Sequence, residues 1–292
     1  MKFIYRWRIA IGLLIAGLSL GGILLWGIAG VLISPAPRLV GPAPADLAAT
    51  NVVFPGGTGT ELHGWLIRGR TGGGAVALLH GNRSDRTQML SRARYFSKAG
   101  YTVLLFDFQA HGESPGNQLT LGDRESHNAT AAVAYLHEQV PGEKIGVVGM
   151  SLGAASVLLA EPPLPVQTMV LESSYPTIQD AVRDRMVERM GSPGRWITPL
   201  LTCQMRPRLG FGPDHLRPID HVAKITVPKF FIAGTADQLT TLAESQALYD
   251  AAAEPKQSWW VAGAGHEDMH DFSRHEYEEK VGAFLGRYLR AE

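Results

Sequence analysis

From Ile9 to Ile33 the chain runs for 25 residues without a charge, and Ser19 carries the only polar side chain in the stretch. As a helix rising 1.5 Å per residue it would extend roughly 37 Å, enough to cross a ~30 Å hydrocarbon core with some tilt. Nothing interrupts the apolar run as a soluble core helix would require. A cleaved signal peptide would have an apolar region of ~7–15 residues ending in a small-x-small site. Ser34-Pro35-Ala36 suits cleavage poorly because Pro37 follows. The stretch is therefore read as a retained signal anchor.

Ser34 to Ala49 holds four prolines and no apolar periodicity, which predicts a semi-extended stalk. Beyond it the pattern changes repeatedly. Glu61–Ile67 alternates like a half-exposed strand. Ala75–Leu79, Tyr101–Asp107, Lys144–Met150, Val166–Glu172, Lys229–Gly234 and Ser258–Ala262 are short continuous apolar runs bounded by Gly or Pro, as in the buried strands of a parallel sheet. Helical patterns separate them over Arg86–Ala99, Arg124–Gln139, Leu152–Leu159, Leu239–Ala253 and Ser273–Leu289. Such alternation predicts an α/β architecture, a mostly parallel sheet with helices on both faces. One interval breaks the rhythm. More than fifty residues separate Glu172 from the strand near Pro228, where a single helix would suffice. Within it Thr177 and Asp180 form an N-cap pair, and Ile178, Val182, Met186 and Met190 share a helical face. Residues 173–218 are read as an inserted cap, and residues 50–290 as one catalytic-sized domain.

Composition sharpens the first feature. The chain has 292 residues, with 27 basic and 27 acidic side chains. Lys2, Arg6 and Arg8 precede the apolar run, leaving 24 basic against 27 acidic residues after residue 33. Basic residues before the span predict a cytoplasmic N-terminus (residues 1–8) and a domain on the far side of the membrane. The mildly acidic remainder gives no electrostatic case for nucleic acid. A single cysteine, Cys203, excludes an internal disulfide framework, and is expected to be a small buried apolar residue.

The sharpest motif is Gly149-Met150-Ser151-Leu152-Gly153, between the strand-like KIGVV and a helix-forming run. Small neighbours let a strand turn tightly into a helix and leave the serine hydroxyl exposed at the helix N-terminus. A serine needs a base, and the base needs an acid to orient it. Asp237 follows the strand KFFIA and His266 follows the strand SWWVA, in the order Ser, Asp, His. Glu172, at the end of TMVLE, is an alternative acid. Oxyanion donors are expected from the backbone amides of Leu152 and of Asn82, the latter just beyond His80-Gly81.

Over about Thr50 to Leu289 the sequence resembles the α/β-hydrolase superfamily. Asp107-Phe108-Gln109-Ala110-His111-Gly112-Glu113-Ser114-Pro115-Gly116 is similar to the D-x-R-G-H-G-x-S-x-G loop of its serine-aminopeptidase and monoacylglycerol-lipase-like branch, with Gln109 and Ala110 in place of the usual Arg-Gly pair. The resemblance implies an α/β-hydrolase fold with a helical cap, and hydrolysis of an ester, thioester or amide through an acyl-enzyme. It also implies a loop-structuring role for Asp107.

The reading that results is a membrane-anchored serine hydrolase acting on carboxylic esters or thioesters, with an amino- or oligopeptidase and a non-catalytic tethered binding protein as rivals. The expected partners are the bilayer, through residues 9–33, and a small acyl ester or lipid. No nucleic acid, metal, organic cofactor or obligatory protein partner is expected. His266-Glu267-Asp268-Met269-His270 matches the zinc-protease pattern H-E-x-x-H, but it follows a strand and a Gly-Ala-Gly loop where that pattern needs a long helix. His80 and His111 are read as hydrogen-bonded scaffold residues in tight turns.

Overall fold

The computed structural model describes residues 2–290. Its strands are β1 (Ala36–Pro37), β2 (Ala49–Pro55), β3 (Glu61–Ile67), β4 (Ala75–Leu79), β5 (Thr102–Phe106), β6 (His111–Gly112), β7 (Ile145–Met150), β8 (Thr168–Glu172), β9 (Lys229–Gly234) and β10 (Lys256–Val261). Eight of them form one sheet in the order β10-β9-β8-β7-β4-β5-β3-β2, in which β3 alone runs against the others. The central strands β4, β5, β7, β8 and β9 are buried on both faces, which is why their sequences are continuously apolar. Alternate residues divide between two cores. Ala75, Ala77 and Leu79 enter one, Val76 and Leu78 the other.

The helices are α1 (Lys2–Ile33), α2 (Leu90–Lys98), α3 (Asp123–Gln139), α4 (Leu152–Leu159), α5 (Ile178–Met190), α6 (Gly194–Thr202), α7 (Met205–Leu209), α8 (Pro218–Val222), α9 (Leu242–Ala251), α10 (Met269–Phe272) and α11 (Arg274–Leu289). One face of the sheet is covered by α3, α4, α8 and α9, the other by α2 and α11. The expected strands and helices agree with these to within about three residues. Arg86–Met89 is a 3₁₀ turn instead of the first turn of α2. The start of α9 is set by Thr241, whose hydroxyl caps Glu244 while the Glu244 carboxylate accepts the Thr241 amide at 2.8 Å. β2 was not expected: it is an edge strand, largely exposed, and its apolar alternation is correspondingly weak.

The segment expected to be a free stalk is strapped to the domain. β1 pairs in parallel with β6, and the Glu113 carboxylate accepts the amides of Val40 and Gly41 at 3.2 and 2.9 Å. Leu47 is buried in the core beside α2. The prolines that suggested a stalk bar extensive ladder pairing, but leave room for these isolated anchors.

The helix α1 is long and apolar enough, over Tyr5–Ile33, to span a membrane. It starts seven residues before the apolar run. Its last two turns are not bare. Leu25, Ile28, Ala29 and Leu32, spaced along one face, pack against Val182, Met186, Ile197 and Leu201 of the cap helices α5 and α6. Thr177 caps α5 as expected, accepting the Asp180 amide at 3.1 Å. Ile178 and Met186 of the expected apolar face are buried, whereas Met190 is exposed. Cys203, expected to be buried, is exposed just after the end of α6.

Candidate active site

Ser151 occupies the turn between β7 and α4 with φ 52° and ψ −111°, a conformation that side-chain-bearing residues avoid. The flanking glycines make it possible. A β-carbon on Gly149 would lie 2.6 Å from the Ala154 nitrogen, and one on Gly153 would lie 2.3 Å from the Leu79 carbonyl oxygen. The Ser151 amide donates to the Glu172 carbonyl at 2.8 Å and ties the turn to β8.

His266 Nε2 lies 3.1 Å from Ser151 Oγ, and its Nδ1 lies 2.8 Å from Asp237 Oδ2. The other carboxylate oxygen of Asp237 accepts the amides of Leu239 and Thr240 at 2.8 and 2.9 Å, which fixes the acid's orientation. The loops carrying the two residues are laced together. Ala236 donates to the Ala264 carbonyl at 2.9 Å, and Gly234 leaves no space for a β-carbon against that same carbonyl. Asn82 and Leu152 line the same cavity as Ser151 and His266. Leu152 opens α4, so its amide is among the N-terminal donors that lack an intrahelical acceptor.

Glu172 is not joined to His266. Its carboxylate accepts Arg92 Nε at 3.0 Å and the Tyr277 hydroxyl at 2.5 Å, and pairs with a second Arg92 nitrogen. Arg92 also donates to Asp268 at 2.7 Å. All three of Arg92, Glu172 and Tyr277 are fully buried. Burial opposes the charge on Arg92, but Glu172, Tyr277 and Asp268 together outweigh it and hold the guanidinium's pKa well above its ordinary value. His270 belongs to this region and meets Glu278 at 3.1 Å through Nε2. α10 is only four residues long and begins after His266, so His266 and His270 do not share a helical face as a zinc-protease helix would require.

The loop from Asp107 to Gly116 braces the site from beneath. Asp107 accepts the amides of Arg86 and Glu113 at 2.7 and 2.9 Å and pairs with the Arg86 guanidinium at 2.5 Å. Gln109 accepts from Thr60 at 3.2 Å and also bonds Thr58, tying the loop to the β2–β3 turn. Ala110 adopts φ 62°, where the resembling loops have glycine. His80 Nδ1 donates to the Gly81 carbonyl at 2.8 Å, and Nε2 accepts the Phe108 amide at 3.1 Å. This neutral tautomer clamps the Gly81-Asn82 turn to the loop. Burial, reinforced by neighbouring His111, pushes the His80 pKa down to about 3.

The cavity over Ser151 holds about 70 Å³. Its walls include Ile178 and Val182 of the expected cap face, and also Leu121, Tyr175, Arg185 and, from α1, Leu32, which no sequence pattern marked. A larger surface cleft of about 760 Å³ lies between α2 and the α10–α11 segment, and none of Ser151, Asp237 and His266 lines it.

Sheet, cap and serine turn together define an α/β hydrolase. A sequence model of the alpha/beta hydrolase family matches residues 76–279, and the chain belongs to that family. An uncharacterized Mycobacterium tuberculosis protein is 31% identical over 236 residues, covering 78% of this chain and 77% of its own. The uncharacterized protein YfhR of Escherichia coli is 24% identical over 260 residues, covering 86% and 84%. Among solved structures, the Pyrococcus furiosus esterase Pf2001 superimposes with a TM-score of 0.71 at 27% identity, over 87% of this chain and 99% of the esterase.

Two outcomes follow from the buried groups. Glu172→Gln leaves Arg92 short of a buried counter-charge and should lower unfolding free energy by about 3–5 kcal/mol in denaturant titrations. Loss of less than 1 kcal/mol would contradict the buried pairing. For His80, the unfolded chain gains a proton below about pH 6.5 that the folded chain cannot take up until about pH 3. Stability from this group is therefore complete above pH 6.5 and declines as pH falls towards 3. Between pH 7 and pH 5 the expected loss is about 2 kcal/mol. His80→Gln should reduce the difference in unfolding free energy between those two pH values, and an unchanged difference would show that other groups set the acid sensitivity.

Proposed function

We propose that this chain is a membrane-anchored serine hydrolase that cleaves carboxylic ester or thioester bonds through an acyl-enzyme. The observation that carries the reading is the continuous chain Ser151 Oγ, His266 Nε2, His266 Nδ1, Asp237 Oδ2 at 3.1 and 2.8 Å. Ser151 Oγ attacks the acyl carbonyl carbon while its proton passes to His266 Nε2. Asp237 holds the Nδ1–H and stabilises the imidazolium. The carbonyl oxygen, now negative, takes hydrogen bonds from the amides of Asn82 and Leu152. Collapse of the tetrahedral species expels the alcohol or thiol with the proton from His266. Water then loses a proton to His266, attacks the acyl-serine and releases the acid, restoring Ser151.

The 27% identity to an esterase over most of both chains supports ester cleavage over amide cleavage. On this reading α1 anchors the enzyme with its N-terminus in the cytoplasm and residues 50–290 on the other side, because the charges before the span are all basic.

Wild-type protein should hydrolyse p-nitrophenyl esters and be labelled by a fluorophosphonate probe. Ser151→Ala should lose both, and Asp237→Asn should lower kcat by about 10⁴-fold with little change in KM. Retained labelling in Ser151→Ala would falsify the assignment, and faster turnover of aryl-peptides than of esters would move it to a peptidase. For topology, a carboxy-terminal alkaline phosphatase fusion is expected to be active and a green fluorescent protein fusion dark. The reverse pattern would invert the orientation.

A further inference from the structure

The anchor reaches into the candidate site. Leu32, in the last turn of α1, lines the cavity that holds Ser151 and His266. A second cavity of about 20 Å³ lies between α1 and the cap helices α6 and α7, with walls that include Ala29, Ile33, Leu201 and Met205. Leu32, Leu121 and Val182 line both cavities, so they form the partition between them.

The placement of α1 says where the outer cavity opens. The face of α1 that docks on the cap ends at Leu25. Ile9 to Leu24 leaves 16 uncharged residues, about 24 Å of helix, and Tyr5–Arg8 extends it to about 30 Å with Arg6 and Arg8 snorkelling to the headgroups, so the undocked part suffices to cross a hydrocarbon core. The docked turns and the cap on them then lie at the membrane surface. The cap presents apolar side chains accordingly. Trp196 and Leu200, one turn apart on α6, are 82% and 51% exposed, in the manner of residues seated in the interfacial zone.

We propose that α1 is a structural wall of the substrate site, and that the substrate is a membrane-dissolved ester of a long acyl chain. This rests on the assignment of Ser151 as nucleophile. The ester carbonyl sits at Ser151, and the tail runs past Leu32 and Val182 into the space between α1 and the cap, whose far end meets the bilayer. The two cavities, about 20 and 70 Å³, are too small for a long chain, so the partition side chains must turn aside. Met186 and Met205, unbranched and adaptable, flank the path. A short or water-soluble ester uses only the inner cavity.

The test uses the full chain in nonionic detergent micelles, with p-nitrophenyl butyrate and dodecanoate as probes. Ala29→Phe fills the outer cavity and Leu32→Trp blocks the partition. Each should lower the dodecanoate-to-butyrate ratio of kcat/KM at least tenfold. Val31→Phe, whose side chain points away from the cap and is exposed, should leave the ratio at the wild-type value. Fluorophosphonate labelling verifies that each variant is folded, and Ala29→Phe decides alone if Leu32→Trp is not labelled. Wild-type hydrolysis with ratios unchanged in the blocking variants, or lowered equally by Val31→Phe, overturns the groove and leaves the hydrolase reading standing. A wild-type protein that neither labels nor hydrolyses either ester overturns both.

Discussion

The candidate site depends on one close approach. The α-carbon of Gly153 packs so near the Leu79 carbonyl that a β-carbon there would sit 2.3 Å from the oxygen. This contact lets the start of α4 lie directly over the end of β4. The Ser151 backbone is thereby forced to φ 52°, and its hydroxyl is turned out of the sheet towards the loops that follow β9 and β10. The same contact places the first amide of α4 beside the Gly81-Asn82 turn, which is the chain's own continuation of β4. The proposed nucleophile and the proposed oxyanion donors are thus set by one steric fact. Strain of this kind persists only where the surroundings over-determine it. Here the restraints are the bond from Ser151 to Glu172 on β8 and the His80 clamp on the neighbouring turn.

Much of this arrangement was legible because it is local. Ser151, Asp237 and His266 each follow an apolar strand by a few residues, and parallel strands deliver their C-terminal ends to one edge of the sheet. What was not legible depends on partners far apart in sequence. Glu172 looks like an acid at a strand end, and only the arrival of Arg92 and Tyr277 from α2 and α11 shows that its carboxylate is taken. The strap over residues 34–49 relies on Glu113 and β6, more than seventy residues away. β2 lies at an edge and Cys203 at an exposed corner, and in neither place does composition report burial.

Leu32 was hidden for a different reason. Contact with lipid and contact with the protein's own apolar cap select the same residues, so hydropathy does not mark which part of α1 is docked. The docked face is visible only as spacing: Leu25, Ile28, Ala29 and Leu32 recur with helical period inside a run that is apolar all round. The basic residues of the cap carry a related signal. Residues 173–218 carry seven arginines against four acids, a composition that a solvated cap surface would also have. One of them, Arg208, stacks on Trp26 at 3.8 Å and bonds the Trp26 carbonyl.

The end of α1 is coupled to the domain by its own backbone chemistry. A helix leaves its last carbonyls without intrahelical donors, and the dipole concentrates negative charge there. Such groups need a donor, and a cation serves best. Arg83 supplies it, donating to the carbonyls of Val31 and Ser34 at 3.1 and 3.0 Å. Arg83 follows Asn82 directly, so the residue that caps α1 adjoins one that lines the cavity of Ser151. β1, beginning two residues after Ser34, then pairs with the loop that braces the same site. A free stalk would let the domain turn relative to its anchor. Arg83, β1 and the cap contacts fix that angle, and the proposed entry of substrate from a bilayer would require such a fixed angle.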